Sequence, residues 1–256
     1  MKYISKHDIV SAFRNCGIQS GDTLMLHSDA IVLAQTRPMD QEDRYMLFFE
    51  AMDDVLGSDG TLVIPTFTYS ATKGERFYVE QTPSTVGALT EYFRKLPGVR
   101  RSSDPIFSVA VRGSGALELA SVEVGDTFGP NSLFDLLHNR NAYIACLGCS
   151  FDRVTFTHYV EQSVGVSYRY FKAFPYTISR NGSDQSGVIR YYVRYLDRQT
   201  GTDLSRLKIA AAEPGFLHKA SVGRFALITI ACQDFYREAE ILLRNDESAL
   251  ITEGRE

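Results

Sequence analysis

The sequence predicts an α/β fold, a three-layer-like sandwich whose central mixed sheet is flanked by helices and gains antiparallel strands in its C-terminal third. Three observations predict it. Through the first two thirds of the chain, short apolar runs alternate with segments of helical period. After about residue 172 the texture turns to runs rich in Tyr and β-branched residues. No tract rich in Pro, Gly or Ser separates two units, so residues 1–256 read as a single domain, with 172–232 a subregion of different texture.

Taken in order, a helix near 5–16 precedes the run Thr23-Leu24-Met25-Leu26-His27, and a helix near 41–56 precedes Thr61-Leu62-Val63-Ile64-Pro65. Helix starts are marked by side chains able to accept from free backbone amides: Asp40 before the second helix, Ser84 before 85–94, and Ser132 before 133–137. Ser108-Val109-Ala110-Val111 and Ala142-Tyr143-Ile144-Ala145-Cys146-Leu147 read as buried strands, the second ending at Gly148. The runs 174–178, 188–195 and 224–231 read as antiparallel strands added to the sheet, and a helix near 233–244 closes the pattern.

A chain of 256 residues with 44% hydrophobic and 23% charged content is expected to fold nearly throughout. A net charge of -4 gives no general attraction to a nucleic-acid backbone or an anionic membrane. The first residues lack an apolar leader core, and no stretch approaches the length of uninterrupted apolar residues that spans a bilayer. Cys16, Cys146, Cys149 and Cys232 are too few and too scattered for a disulfide framework. A cytoplasmic protein is the expectation, and the sequon Asn181-Gly182-Ser183 is then accidental.

The densest chemistry lies in Leu147-Gly148-Cys149-Ser150-Phe151-Asp152-Arg153-Val154-Thr155-Phe156-Thr157-His158-Tyr159-Val160-Glu161. A glycine turn after an apolar strand places these residues at the strand's C-terminal end, where open α/β sheets carry their sites. With a helix beginning near Val154, the side chains of Thr155, His158 and Glu161 share one face. A carboxylate sets the tautomer of an imidazole and keeps it basic, and a hydroxyl steadies an oxyanion. Acyl transfer to an amine uses both functions. The same spacing also describes a helix presenting a solvated His and Glu, so the residues alone leave both readings open.

Further blocks surround this segment. They are Gly21-Asp22-Thr23-Leu24-Met25-Leu26-His27-Ser28, Gly60-Thr61-Leu62-Val63-Ile64-Pro65-Thr66, Thr82-Pro83-Ser84-Thr85-Val86-Gly87-Ala88-Leu89, Arg101-Ser102-Ser103-Asp104-Pro105-Ile106-Phe107-Ser108-Val109, Phe128-Gly129-Pro130-Asn131-Ser132 and Lys219-Ala220-Ser221-Val222-Gly223. Each is weak, but their order across most of residues 5–240 resembles the aminoglycoside 3-N-acetyltransferase family. The resemblance implies direct transfer of an acyl group, acetyl or longer, from acyl-coenzyme A to an amine within a ternary complex, without a metal. It implies His158 as general base, Glu161 or Asp152 as its carboxylate, and Thr155 or a backbone amide at the oxyanion. It also implies coenzyme contacts from His27, Ser28, Asp29 and Ala30 and from Thr66 and Phe67, with Arg101 available to a phosphate.

One position departs from the family pattern. Many members carry His immediately before the Pro of Arg101-Ser102-Ser103-Asp104-Pro105, where this chain has Asp104. With Phe107 and Ser108, Asp104 is expected to face the acceptor, where a carboxylate suits an ammonium or a sugar hydroxyl. The expected partners are coenzyme A and an amino sugar, a nucleotide-linked one favoured over an aminoglycoside, because a polycation would prefer a densely acidic surface. A homodimer is left open.

Rival chemistries have their own signals. Cys146-Leu147-Gly148-Cys149 is a C-x-x-C, but no second pair stands at zinc-ligand spacing, and Cys146 is expected to point into the core, against a zinc hydrolase using Cys146, Cys149 and His158. A cysteine-nucleophile enzyme pairing Cys149 with His158 is the stronger competitor, and a non-catalytic module binding coenzyme A or an amino sugar is a third reading. The R/Q-x-x-G-x-G/A turn of the commoner N-acetyltransferase superfamily is absent, since the nearest stretch, Gln162-Ser163-Val164-Gly165-Val166-Ser167, ends in Ser.

Overall fold

Alternate residues along the central strands bury into two separate cores, and that alternation organises the molecule. The structure, a computed structural model, describes residues 3–195 and 200–253. Strands β1 (Thr23–Ser28), β2 (Thr61–Pro65), β5 (Val109–Gly113) and β6 (Tyr143–Leu147) form the middle of the main sheet. The helices α1 (Lys6–Asn15), α2 (Gln41–Leu56) and α3 (Ala88–Phe93) cover one face, where Leu24, Leu26, Leu62, Ile64 and Leu147 meet Phe13, Phe48, Phe49 and Phe93. On the other face Met25, Val63, Val109, Ile144 and Cys146 meet residues of α4 (Ala116–Ala120), α5 (Leu133–Asn139), α6 (Thr157–Val164), α7 (Ser205–Ala212) and α8 (Cys232–Asn245). Strand residues of one parity belong to one core and those of the other parity to the other, as a period of two requires.

With β4 (Arg100–Arg101), β10 (His218–Val222) and β11 (Phe225–Ala231) at its edges, the main sheet has seven strands in the order β10-β11-β6-β1-β2-β5-β4. The pairs β1/β2 and β1/β6 are parallel, and β6/β11, β10/β11, β2/β5 and β4/β5 are antiparallel. A parallel core thus carries antiparallel edges, the mixed sheet that the sequence pattern predicts. Two of the three late runs take a different place. The long strands β7 (Arg169–Arg180) and β8 (Ser183–Arg194) pair with each other, and β7 pairs with the short β3 (Phe77–Tyr78), in a second sheet of three strands. Only β11, with β10, extends the main sheet. A small pair, β9 (Thr200–Thr202) with β12 (Ile251–Glu253), completes the described strands.

The helix starts divide by local hydrogen bonding. Ser5 and Asp8 form a reciprocal capping box on α1, and Ser132 accepts from the Asp135 amide at the start of α5. Asp40 occupies the N-cap of α2 but its side chain accepts no cap hydrogen bond, contrary to expectation. The helix expected from residue 85 begins at Ala88, after Gly87 with φ +143°, a conformation that suits glycine. Ser84 instead folds back on that helix, its amide donating to Glu91 and its hydroxyl pairing with Thr90.

Arg101 joins the main sheet to the loop that follows β3. Its guanidinium donates to the Thr66 carbonyl (2.7 Å), the Thr66 hydroxyl (3.2 Å) and the carbonyls of Val79 (3.1 Å) and Thr82, and it lies over the Phe77 ring. Arg101→Met leaves those buried carbonyls without a donor. The expected cost is about 2–3 kcal/mol, measured as a lowered urea midpoint.

Candidate active site

The C-terminal ends of β1, β2 and β6 lie on one edge of the sheet because the three strands are mutually parallel through β1. The residues that follow them, Asp29 and Ala30, Phe67, and Gly148 to Ser150, line one cleft of about 830 Å³. The start of α3 and the ring of His158 form other parts of its wall. That volume is in the usual range for a small-molecule site. Gly148 makes the turn from β6 into the cleft with φ +69°, where an added Cβ would sit 2.4 Å from Val32 Cγ2.

His158 lies in the first turn of α6, and that helix begins at Thr157 after a separate short turn at Phe151–Arg153, not near Val154. Its Nδ1 stands 2.7 Å from Glu161 Oε2, and Glu161 is wholly buried. Tyr168 donates to Glu161 Oε1 at 2.9 Å, and Arg169 Nε lies 2.8 Å from Oε2. An ionised carboxylate only accepts, so the shorter contact puts the proton on Nδ1 and leaves Nε2 as the basic nitrogen, although Arg169 Nη2, a donor, stands 3.0 Å from the same Nδ1. Burial, helped by the Arg169 charge and opposed by Glu161, holds the imidazole below its ordinary pKa. Burial alone would raise Glu161, but its bonds to His158 and Tyr168 and the nearby Arg169 hold it below the ordinary carboxylate range. The ring is therefore a neutral base near neutral pH, with a tautomer set by a charged partner.

Of the two carboxylates expected near the imidazole, only Glu161 reaches it. Asp152 accepts from the Ser150 hydroxyl at 2.6 Å and the Leu204 amide at 2.8 Å, so it ties the turn to the start of α7. Thr155 lines the cleft, but it precedes the helix, and its carbonyl accepts from the His158 amide. His27, Ser28, Asp29, Ala30, Phe67 and Phe107 all line the cleft. Thr66, Arg101 and Ser108 do not. Thr66 and Ser108 are fully buried and bond to each other, and Thr66 also accepts from Arg101, whose donors are used inside the fold and not offered to a phosphate. Asp104 also turns away: its Oδ1 accepts from the Ile106 and Phe107 amides at 2.7 and 2.8 Å, and burial pushes it up to about 6 despite those bonds.

Residues 25–244 match the family described as Aminoglycoside 3-N-acetyltransferase. The chain belongs to that family. Aminoglycoside N(3)-acetyltransferase III of Pseudomonas aeruginosa is 31% identical over 193 residues, covering 68% of this chain and 69% of that relative. Aminoglycoside N(3)-acetyltransferase IV of a Salmonella species is 30% identical over 166 residues, covering 64% of this chain and 60% of that relative's length. Among solved structures, AAC-IIIb in binary complex with CoASH shares the fold with TM-score 0.79 and 16% identity, covering 95% of this chain and 97% of that one.

Within this member of the family, several residues that support His158 or line the cleft carry no sequence signal of their own. Arg169 and Tyr168 follow Glu161 across a glycine turn, and only the return of the chain as β7 brings them to its carboxylate. An aromatic wall comes from four distant segments and joins the expected Phe67 and Phe107 to Tyr69 and Tyr191, which the sequence did not single out: Phe107 packs on Phe67 (4.9 Å between centroids), Tyr69 (5.5 Å) and Tyr191 (5.1 Å), and Phe128 sits between Phe107 and His158. Tyr69 holds its place with φ +58°, an unusual conformation for a bulky residue. The block Thr85 to Leu89, legible as a family motif, forms another side of the cleft.

Cys146 is in the core, as expected, and Cys149 lines the cleft. Among the described residues no three His, Cys, Asp or Glu side chains gather to hold a metal ion, and no helix is long and apolar enough to cross a membrane. At the end of β1, the His27 Nε2 and Ser28 Oγ atoms are buried without a hydrogen-bond partner among the described residues. Burial pushes the His27 imidazole down to about 4.

A folded-state pKa below the unfolded value favours the neutral ring, so this contribution is complete above about pH 6.5 and is lost as pH falls toward about 4. Wild type should lose about 3 kcal/mol more stability than His27→Gln between pH 7 and pH 4, read from urea midpoints across that range.

Proposed function

We propose that this chain is an acyl-coenzyme-A-dependent N-acyltransferase acting on the amine of an amino sugar, with His158 as its general base. The observation that carries the reading is the His158 ring, lining the cleft at the convergent strand ends with Nδ1 tied to the buried Glu161. In this mechanism Nε2 takes a proton from the acceptor nitrogen as that nitrogen attacks the thioester carbonyl. The carbon–sulfur bond then breaks, and the proton held by His158 neutralises the leaving thiolate. Glu161 and Tyr168 hold the ring and its tautomer through the cycle, and Arg169 holds Glu161. The Thr155 hydroxyl is the candidate donor to the oxyanion.

The residues present fit a coenzyme arm. His27 and Ser28 line the cleft, and their buried Nε2 and Oγ atoms have no partner among the described residues, which suits an arm carrying amide and hydroxyl groups. The relative AAC-IIIb is known in complex with CoASH, which supports coenzyme A as the donor's carrier. The curated relatives are named for aminoglycosides, which makes that class the first acceptor to test. Asp104 turns away from the cleft, so the carboxylate in place of the family's His gives no support to a nucleotide-linked acceptor.

His158→Ala should lower kcat by about 10²-fold or more with little change in coenzyme affinity by calorimetry, and unchanged turnover would refute the assignment. In wild type, kcat/KM should rise with pH through the lowered His158 pKa, placing the acidic limb below about 6.5. Glu161→Gln replaces the carboxylate that favours the charged ring, so that limb should move to still lower pH while kcat falls. A thiol-release screen with acetyl-coenzyme A and a longer acyl donor, against aminoglycosides, free amino sugars and nucleotide-linked amino sugars, identifies acyl group and acceptor. Coenzyme binding without thiol release for any amine would turn the reading into a binding module.

A further inference from the structure

The charged side chains around the cleft are unevenly committed. Its two Asp side chains are turned onto the chain's own groups: Asp29 accepts from the Ile31 amide at 2.9 Å, and Asp152 from the Leu204 amide at 2.8 Å and the Ser150 hydroxyl at 2.6 Å. Among the described residues Arg153 is the one Lys or Arg that lines the cleft. Its side chain is exposed, and no described residue gives its guanidinium a hydrogen bond or an ion pair, although Asp152 is its neighbour in the chain. Other cations close by are spent. Arg101 holds carbonyls inside the fold, and Arg169 holds Glu161 and the Tyr192 carbonyl.

A fixed piece of chain presents this guanidinium. In the turn Phe151–Arg153 the Arg153 amide donates to the Ser150 carbonyl at 3.1 Å, Asp152 ties the turn to the start of α7, and Phe151 is buried against Phe235. The segment leading into the turn stands beside the end of β1. The Asp29 amide donates to the Leu147 carbonyl at 3.0 Å, and a Cβ added at Gly148 would lie 3.8 Å from Asp29 Cβ. That strand end carries His27, 8% exposed, whose Nε2 has no partner among the described residues. Adjoining loops thus bring to one cleft an uncommitted guanidinium and an unsatisfied buried polar group, and each points to a ligand.

We propose that Arg153 is the phosphate-recognition residue of this cleft. The proposal rests on the acyltransferase reading, in which two phosphate-bearing groups could enter here: the nucleotide end of coenzyme A, and the diphosphate of a nucleotide-linked amino sugar. A guanidinium offers a planar fork of donors that meets phosphate oxygens in pairs, and it stays charged at every pH at which the His158 ring is a neutral base. The cleft would therefore select a phosphate-bearing substrate through a residue that plays no part in the proton transfer.

The test compares wild type with Arg153→Gln and Arg153→Lys. Because the side chain makes no internal bond, neither change threatens the fold, and circular dichroism checks this. By calorimetry, the preference of wild type for coenzyme A over pantetheine should shrink about three- to tenfold in Arg153→Gln and partly persist in Arg153→Lys, which keeps the charge without the fork. The wild-type preference should also fall more steeply with added salt than that of Arg153→Gln. The kinetic arm pairs acetyl-coenzyme A or S-acetylpantetheine with an amino sugar that is free or nucleotide-linked. A loss of kcat/KM confined to acetyl-coenzyme A assigns the contact to the coenzyme, and a loss that follows the nucleotide-linked acceptor with either donor assigns it to the acceptor. Equal preferences in wild type and Arg153→Gln for both pairs would overturn the phosphate role and leave the acyltransferase reading standing. An equal loss with the phosphate-free partners would overturn it as well, since Arg153 would then serve only the shape of the cleft. A wild-type protein that neither binds coenzyme A nor transfers an acyl group would overturn both.

Discussion

The site depends on one buried carboxylate. Glu161 has no exposure, and a charge removed from water in this way is tolerated only when its oxygens are fully partnered. Its partners come from three places in the chain: His158 on the same helix, Tyr168 in the loop after it, and Arg169 at the first residue of β7. Satisfying Glu161 therefore docks α6 against the second sheet and, in the same act, fixes the orientation of the His158 ring. The functional geometry and the docking of the layers are one set of contacts.

Electrostatics then decide the protonation state. Glu161 favours the imidazolium, while burial and the Arg169 guanidinium, whose Nη2 is 3.0 Å from His158 Nδ1, favour the neutral ring. The second pair of effects prevails, so the arrangement yields a base ready to accept a proton instead of a standing ion pair. Arg169 thus has two effects: it neutralises the carboxylate and keeps the imidazole uncharged.

The cleft shows how hydrogen-bond accounting separates structural polar groups from those left for a ligand. Thr66, Ser108, Arg101 and Asp104 look eligible on chemistry alone, but each spends its bonding capacity on backbone or on one another. Among the described residues His27 Nε2 and Ser28 Oγ end up buried with none, although they end the same strand that supplies Leu24 and Leu26 to the core. Desolvated atoms without partners are costly in a folded protein, so a ligand that supplies those bonds recovers part of the cost.

The sequence by itself determined the local order of this protein: the alternating strands Thr23–Ser28, Thr61–Pro65 and Tyr143–Leu147, the long helices, and the i,i+3 relation of His158 to Glu161, because strand and helix periodicities act over a few residues. The family motifs added the expectation of a base and its carboxylate within that segment. Only the tertiary structure decided that Glu161 and not Asp152 is the partner, since Asp152 is drawn off by the Leu204 amide from a distant part of the chain. It also decided that 174–178 and 188–195 build a separate sheet, that Arg169 comes to Glu161 and that Tyr191 comes to the cleft. Those outcomes depend on which buried charges and amides must be satisfied once the layers close, and that demand has no periodicity to be read along the chain.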